Sequence, residues 1–238
     1  MKRLTVRGGV MLAWLGGPGA WPADRARGAV YTRVNLVSAL AGVARLPAPT
    51  LVTPWGLALS ATSPCWGAAH GRGVSTLYTS QGQASPIASP LVVTSPSPTS
   101  PTGGTPTGLV FNGPGACVVS ANGTSGAPPF PFATEDGTLL GWSPTVKGPQ
   151  ALMAVGHAAA GAVSQELALA HTSQGTFLYL TNCQVGVVEI YDKHCTPMRT
   201  CTELPVDLRS TRDSCTRCHA YADIVRLRVL PVCQCYAA

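Results

Sequence analysis

The stretch that decides the fold is FATEDGTLLGW, residues 132–142. Two adjacent carboxylates, Glu135 and Asp136, stand before Gly137, and apolar runs flank them. Two readings compete: an acid pair that does chemistry, or a turn between strands. Asp-Gly between apolar runs is a strong hairpin signal, because such turns need positive φ angles that Gly and Asp tolerate. The second half, GTLLGW, is a glycine, four residues and an aromatic, and it returns as GVSTLY (73–78) and GVVEIY (186–191). Before these words stand the apolar runs CWGAAH (65–70), FPFATED (130–136) and FLYLTN (177–182). Earlier still come GLALS (56–60), GLVFN (108–112) and ELALA (166–170), while LVVT (91–94) and LMAV (152–155) follow the first two words. The chain repeats a unit of four short strands, and its starts at Gly56, Gly108 and Glu166 are 52 and 58 residues apart.

A four-strand unit of that length is the pattern of a β-propeller blade, a small sheet that hides its faces only by stacking on its neighbours. The expected fold is all-β: a partial propeller of about three four-stranded blades over residues 30–194, followed by an irregular Cys- and Arg-rich tail over 195–238. The third unit shows no clear fourth strand. Trp66, Tyr78, Trp142, Tyr179 and Tyr191 are read as core between blades. The acid pair is read first as the turn between the second and third strands of its unit. In a propeller those turns share one mouth, which would gather His70, Glu135, Asp136 and Asn182. Oxygen-rich side chains converging there suit a hard cation such as calcium.

Composition agrees with strands and turns rather than long amphipathic helices. Of 238 residues, 45% are hydrophobic and only 11% charged, with 26 Gly and 21 Pro. The net charge of +6 is concentrated at the two ends and has no basic run with interleaved aromatics, which argues against nucleic-acid binding. MKRLTVRGGVMLAWLGGPGAW at the start reads as an export signal within residues 1–29. No later run reaches the roughly 18 apolar residues of a membrane span. Residues 95–107, SPSPTSPTGGTPT, read as a flexible connection between the first two blades, and Asn122-Gly123-Thr124 is a glycosylation sequon that marks a loop.

Residues 31 to about 192 resemble a family of secreted, mostly bacterial proteins of unassigned activity. The words that carry it are NLVS (35–38), LVTPWGLA (51–58), TSPCW (62–66), STLY (75–78), PTGLVFN (106–112), FATEDGT (132–138), GW (141–142) and LALA (167–170). The resemblance implies a propeller similar to the NHL and gluconolactonase types and an extracytoplasmic location, with no catalytic residues to carry over. This chain departs from the family in unit one, where Ala69-His70-Gly71 replaces an acidic turn. The family's chains look longer, with more blades, so this one reads as truncated.

The tail holds six of nine cysteines, Cys195, Cys201, Cys215, Cys218, Cys233 and Cys235. CTRCH at 215–219 is the attachment signature of c-type haem, with Cys215 and Cys218 as thioether partners and His219 as ligand. Against it, only 19 residues follow and no methionine lies downstream. A zinc site from Cys215, Cys218, Cys233 and Cys235, disulfides within the tail, and an out-of-frame end are the other readings. There is no nucleophile elbow, P-loop or His-Glu-x-x-His, and His157, His171 and His194 read as isolated loop or surface residues. The expectation is an extracytoplasmic propeller-type binding or scaffold protein of unknown ligand. It has no membrane span and is prone to self-association through open blade edges. The alternatives are a calcium-dependent lactonase-like enzyme and a haem protein.

Overall fold

The computed structural model describes residues 34–201. The expected export signal and the tail beyond residue 201, with its CTRCH motif, lie outside the described residues. Within them the chain is all-β, with no α-helix and two single 3-10 turns at His70–Arg72 and Ala158–Ala160.

Twelve strands make three sheets. Sheet 1 is β1 (Pro54–Ala58), β2 (Cys65–Ala69), β3 (Val74–Tyr78) and β4 (Val92–Thr94). Sheet 2 is β5 (Pro106–Leu109), β6 (Phe130–Thr134), β7 (Thr138–Trp142) and β8 (Leu152–Gly156). Sheet 3 is β9 (Ser164–Thr172), β10 (Gly175–Asn182), β11 (Val187–Tyr191) and β12 (Pro197–Cys201). In each, every strand pairs antiparallel with the next in chain order. The fourth strand of sheet 3 comes from residues that the sequence assigned to the irregular tail. Pro197 and Met198 hide it from a pattern search, and it shows little apolar periodicity because all but Cys201 is exposed.

The repeated glycine-to-aromatic words acquire a physical cause. Gly73, Gly137 and Gly186 each close the turn between the second and third strands with left-handed φ angles of 63°, 71° and 67°. Their N–H groups donate to His70 O (3.1 Å), Thr134 O (3.1 Å) and Asn182 O (3.0 Å). The glycine alone supplies the positive φ; Asp136 does not leave the right-handed half of the map. The aromatic at the far end of each word, Tyr78, Trp142 or Tyr191, is buried in the core.

The first strands of successive sheets lie against each other. A Cβ at Gly56 would stand 2.4 Å from Thr107 O, and one at Gly108 would stand 2.7 Å from the Glu166 Cα. Only glycine allows the backbones to approach so closely. Alternation along each strand then sends side chains to opposite junctions. Leu109 joins Trp66, Phe130, Phe132, Leu140 and Trp142 between sheets 1 and 2. Leu167 joins Ala133, Leu139, Leu178 and Tyr191 between sheets 2 and 3.

Residues 95–107 are not a loose linker. Pro96–Ser97 and Ser100–Gly103 pair as a two-stranded ribbon, and Gly104 N donates to Ser95 O across its base at 3.0 Å. The Gln150 side chain also donates to Pro101 O at 2.8 Å. Low-complexity composition concealed a ribbon that turns at Pro98 and Thr99 and whose second strand ends at Gly103, with φ 80°.

Candidate functional site

The turns joining second to third strands, and the links from each sheet to the next, meet at one end of each sheet pair. Gly73 O accepts from Ser95 N and Gly137 O accepts from His157 N, both at 2.9 Å. The link passes so close over the turn glycine that a Cβ on Gly137 would meet Ala162 O at 2.4 Å, and one on Gly73 would meet Gly104 O at 2.8 Å. These contacts place His70, Glu135, Asp136 and Asn182 on equivalent turns, or at their edges.

The four side chains take different partners. His70 and Glu135 do meet: Nε2 lies 2.8 Å from Oε2, joining the turn of sheet 1 to that of sheet 2. Trp55 flanks the imidazole with ring centroids 5.8 Å apart. Asp136 turns the other way. Its Oδ2 accepts from Thr105 N (2.7 Å) and Thr105 Oγ1 (2.8 Å), and its own N–H donates to Thr105 Oγ1 (3.2 Å). Asp136 therefore pins the incoming link.

Asn182 belongs to a second cluster that the sequence did not reveal. Its Nδ2 donates to Glu189 Oε1 at 2.8 Å, and its Oδ1 accepts from Val163 N at 3.4 Å. The other oxygen of Glu189 accepts a short hydrogen bond from the Tyr191 hydroxyl, and His157 Nδ1 lies 3.2 Å from both groups. Glu189 and Tyr191 are buried on β11, whereas His157 stands on the link from sheet 2 and is partly exposed. Burial first, then the hydrogen bond and charge of Glu189, hold the Tyr191 hydroxyl far above the ordinary tyrosine range, so it stays a donor. His157 is thus not isolated, as its sequence context suggested; it is the inter-sheet partner of a buried carboxylate. The available signal was Glu189 itself, a charge inside the otherwise apolar GVVEIY. Thr76 stands at the same place in GVSTLY and donates to the Tyr78 hydroxyl at 3.1 Å, so the polar partner of the tyrosine is itself repeated.

A calcium ion takes six to eight oxygen ligands at about 2.3–2.6 Å. Here each carboxylate already serves an adjacent link or sheet, and no group of three His, Cys, Asp or Glu side chains that could hold a metal occurs among the described residues. The haem and zinc residues Cys215, Cys218, His219, Cys233 and Cys235 lie outside the described residues.

The opposite end of sheet 3 carries covalent closure. Cys117, in the connection between β5 and β6, forms a disulfide with Cys195, in the turn between β11 and β12. Cys117 N also donates to Lys193 O at 2.7 Å. Such a bond suits an oxidising compartment. Cys65 is a free, half-buried thiol whose pKa burial raises, which disfavours the reactive thiolate. No helix among the described residues is long and apolar enough to cross a membrane.

The chain matches no protein-family model, no curated protein and no solved structure.

Proposed function

We propose that the three sheets are blades of a partial propeller and that the chain acts outside the cytoplasm as a binding or scaffold protein, with its contact surface at the turn end. The carrying observation is the repeat of one joint. At both sheet-to-sheet steps a left-handed glycine lies beneath the link to the next sheet, and a first-strand glycine lies against the next first strand. That is how equal wedges are arranged about an axis. The disulfide fits an extracytoplasmic setting, and the resemblance to secreted propeller-like proteins points the same way.

A surface role follows from where the polar groups are used. His70, Glu135 and His157 each keep an exposed edge while their inner atoms bridge sheets. The result is a polar collar that offers hydrogen-bonding edges to a partner. The calcium-enzyme reading would require Glu135 and Asp136 to leave their present partners.

The test is affinity purification of the full secreted chain beside two variants, Glu135→Lys at the turn end and Asp192→Ala at the far end. A partner lost only with Glu135→Lys supports the assignment; identical partner sets in all three overturn it. A rise in melting temperature on adding calcium chloride alone would transfer the turn end to the enzyme reading, since a ligand that binds only the folded state stabilises it.

A further inference from the structure

Asn122-Gly123-Thr124, a sequon for asparagine-linked glycosylation, stands at the tip of a hairpin. The strands of that hairpin, Val119–Ala121 and Thr124–Gly126, lie in the connection between β5 and β6. Asn122 and Gly123 both take left-handed φ angles, 52° and 76°. That is the signature of a type I′ turn, for which Asn-Gly is a favoured pair. The turn alone therefore accounts for Asn122 and Gly123. It asks nothing of Thr124, the residue that makes an Asn-Gly corner an acceptor site.

The surroundings suit a sugar. Asn122, Gly123 and Thr124 are all exposed, and a Cβ on Gly123 would meet no atom within 4 Å. The tip is also held in place. The Ser120 and Ser125 hydroxyls bond across the hairpin at 2.8 Å, and at its base a Cβ on Gly126 would stand 2.3 Å from Ser143 Oγ. Asn122 lines an open cleft of about 520 Å³, within the range of roughly 300–1,000 Å³ that takes small molecules. Its other walls include Thr102, in the ribbon strand Ser100–Gly103, and Lys147 and Gln150, between β7 and β8. Those walls are tied down: Gln150 Nε2 donates to Pro101 O at 2.8 Å, and Trp142 Nε1 donates to Gly148 O at 2.7 Å. Hydroxyl, ammonium and amide groups are the hydrogen-bonding complement of a sugar's hydroxyls.

We infer that Asn122 carries an asparagine-linked oligosaccharide and that the cleft beside it seats the first sugar. In the transfer, Asn122 Nδ2 attacks C1 of an oligosaccharide carried on a polyprenyl diphosphate. The N–C1 bond forms, the C1–O bond to the diphosphate breaks, the amide gives up one proton and the lipid diphosphate leaves. The reaction belongs to the lumen of a secretory pathway, so the inference rests on the extracytoplasmic reading above and adds a covalent modification to it.

Intact-mass analysis of the full chain, expressed through the secretory pathway of a eukaryotic cell, tests it. The expected chain carries a mass increment that peptide N-glycosidase removes, converting the attached asparagine to aspartate. Thr124→Ser keeps the increment and Thr124→Ala abolishes it, and both leave the Asn-Gly turn intact. Amine acetylation then reads the seat of the sugar. The ratio of labelling at Lys147 to labelling at Lys193, which lies beside Cys117, rises several-fold in Thr124→Ala because Lys147 is uncovered. A chain without the increment overturns the inference, as does an increment that survives Thr124→Ala. An unchanged labelling ratio overturns the seat in the cleft. The state of Cys117 and Cys195 in the same sample separates this failure from that of the wider reading. An unglycosylated chain with the disulfide formed sinks this inference alone; an unglycosylated chain with both thiols free sinks the extracytoplasmic reading as well.

Discussion

The two junctions between sheets are built to one plan but held by different chemistry. Between sheets 1 and 2 the core is aromatic. Trp66 stacks on Phe130 with centroids 5.0 Å apart and meets Trp142 at 5.3 Å, and Phe111 reaches Phe130 at 5.5 Å. The outer rim is tied as well: Thr94 N donates to Pro149 O (2.8 Å) and Ala151 N donates to Thr94 O (2.9 Å). At the turn end this junction has the partly exposed pair of His70 and Glu135 and the bonds of Asp136 to Thr105 in the incoming link. Between sheets 2 and 3 the side chains are smaller, chiefly Ala133, Leu139, Leu178 and Leu180. That junction compensates with the Cys117–Cys195 bond at one end and the Glu189 cluster at the other. Where a large apolar area is available, surface polar contacts suffice; where it is not, covalent and buried polar links take over.

The sharpest way to break this contrast is at Trp66. Trp66→Ala removes the ring shared by both neighbours and should destabilise by about 3–5 kcal/mol, read as a fall in the urea midpoint of unfolding. A loss below about 1 kcal/mol, within the range of an exposed site, would mean that the aromatic cluster does not hold the first junction. The counterpart at the second junction is the pair Cys117→Ser, Cys195→Ser. The bond closes a loop with a sequence separation of 78 residues, and its loss should lower stability by about 2–5 kcal/mol. Hydrogen exchange should then rise in β9–β12 more than in β1–β4. Equal loosening of all three sheets would show that the bond secures the whole stack and not one joint.

The carboxylates sharpen the comparison at smaller scale. Glu189→Gln keeps the shape but cannot accept from Asn182, Tyr191 and His157 together. It should lose about 1.5–3 kcal/mol, the range for a hydrogen bond to a buried charge. Glu135→Gln touches only a pair at the surface and should lose about 0.2–1 kcal/mol. Midpoint shifts measured side by side decide it, and an equal loss from both would remove the distinction between buried and exposed ties.

How much of this was readable in the chain follows from the same contrast. The repeat was legible because the turn needs a left-handed residue, so Gly73, Gly137 and Gly186 recur whatever surrounds them. Backbone approach wrote Gly56 and Gly108 into the sequence for a similar reason. Strand β12 was not legible, because an exposed edge strand needs no apolar alternation. The ribbon within residues 95–107 escaped because its order comes from backbone hydrogen bonds and a Gln150 contact from another sheet. Position on a turn was readable for His70, Glu135 and Asp136, but direction was not. Whether a carboxylate faces a mouth or turns to Thr105 depends on a link 31 residues away. The partners of Glu189 were out of reach for the same reason, since His157 lies 32 residues before it.

Tyr191 adds to the second junction a dependence on alkaline pH. Burial and the neighbouring Glu189 raise its hydroxyl above the ordinary tyrosine value. In the unfolded chain it ionises near about pH 10, while in the folded chain it stays neutral. The folded state then binds the proton more tightly, so this contribution is complete below about pH 10 and declines as pH climbs past it. The slope is at most about 1.4 kcal/mol per pH unit for one proton. Tyr191→Phe removes that titration, although it also deprives Glu189 of a donor and lowers stability at neutral pH by about 1–3 kcal/mol. Urea midpoints between pH 8 and pH 11 separate the two effects, because the wild-type curve should steepen above about pH 10 while the phenylalanine curve falls less. Parallel curves across that range would mean that Tyr191 ionises as freely in the fold as outside it, and that the second junction does not enclose its carboxylate.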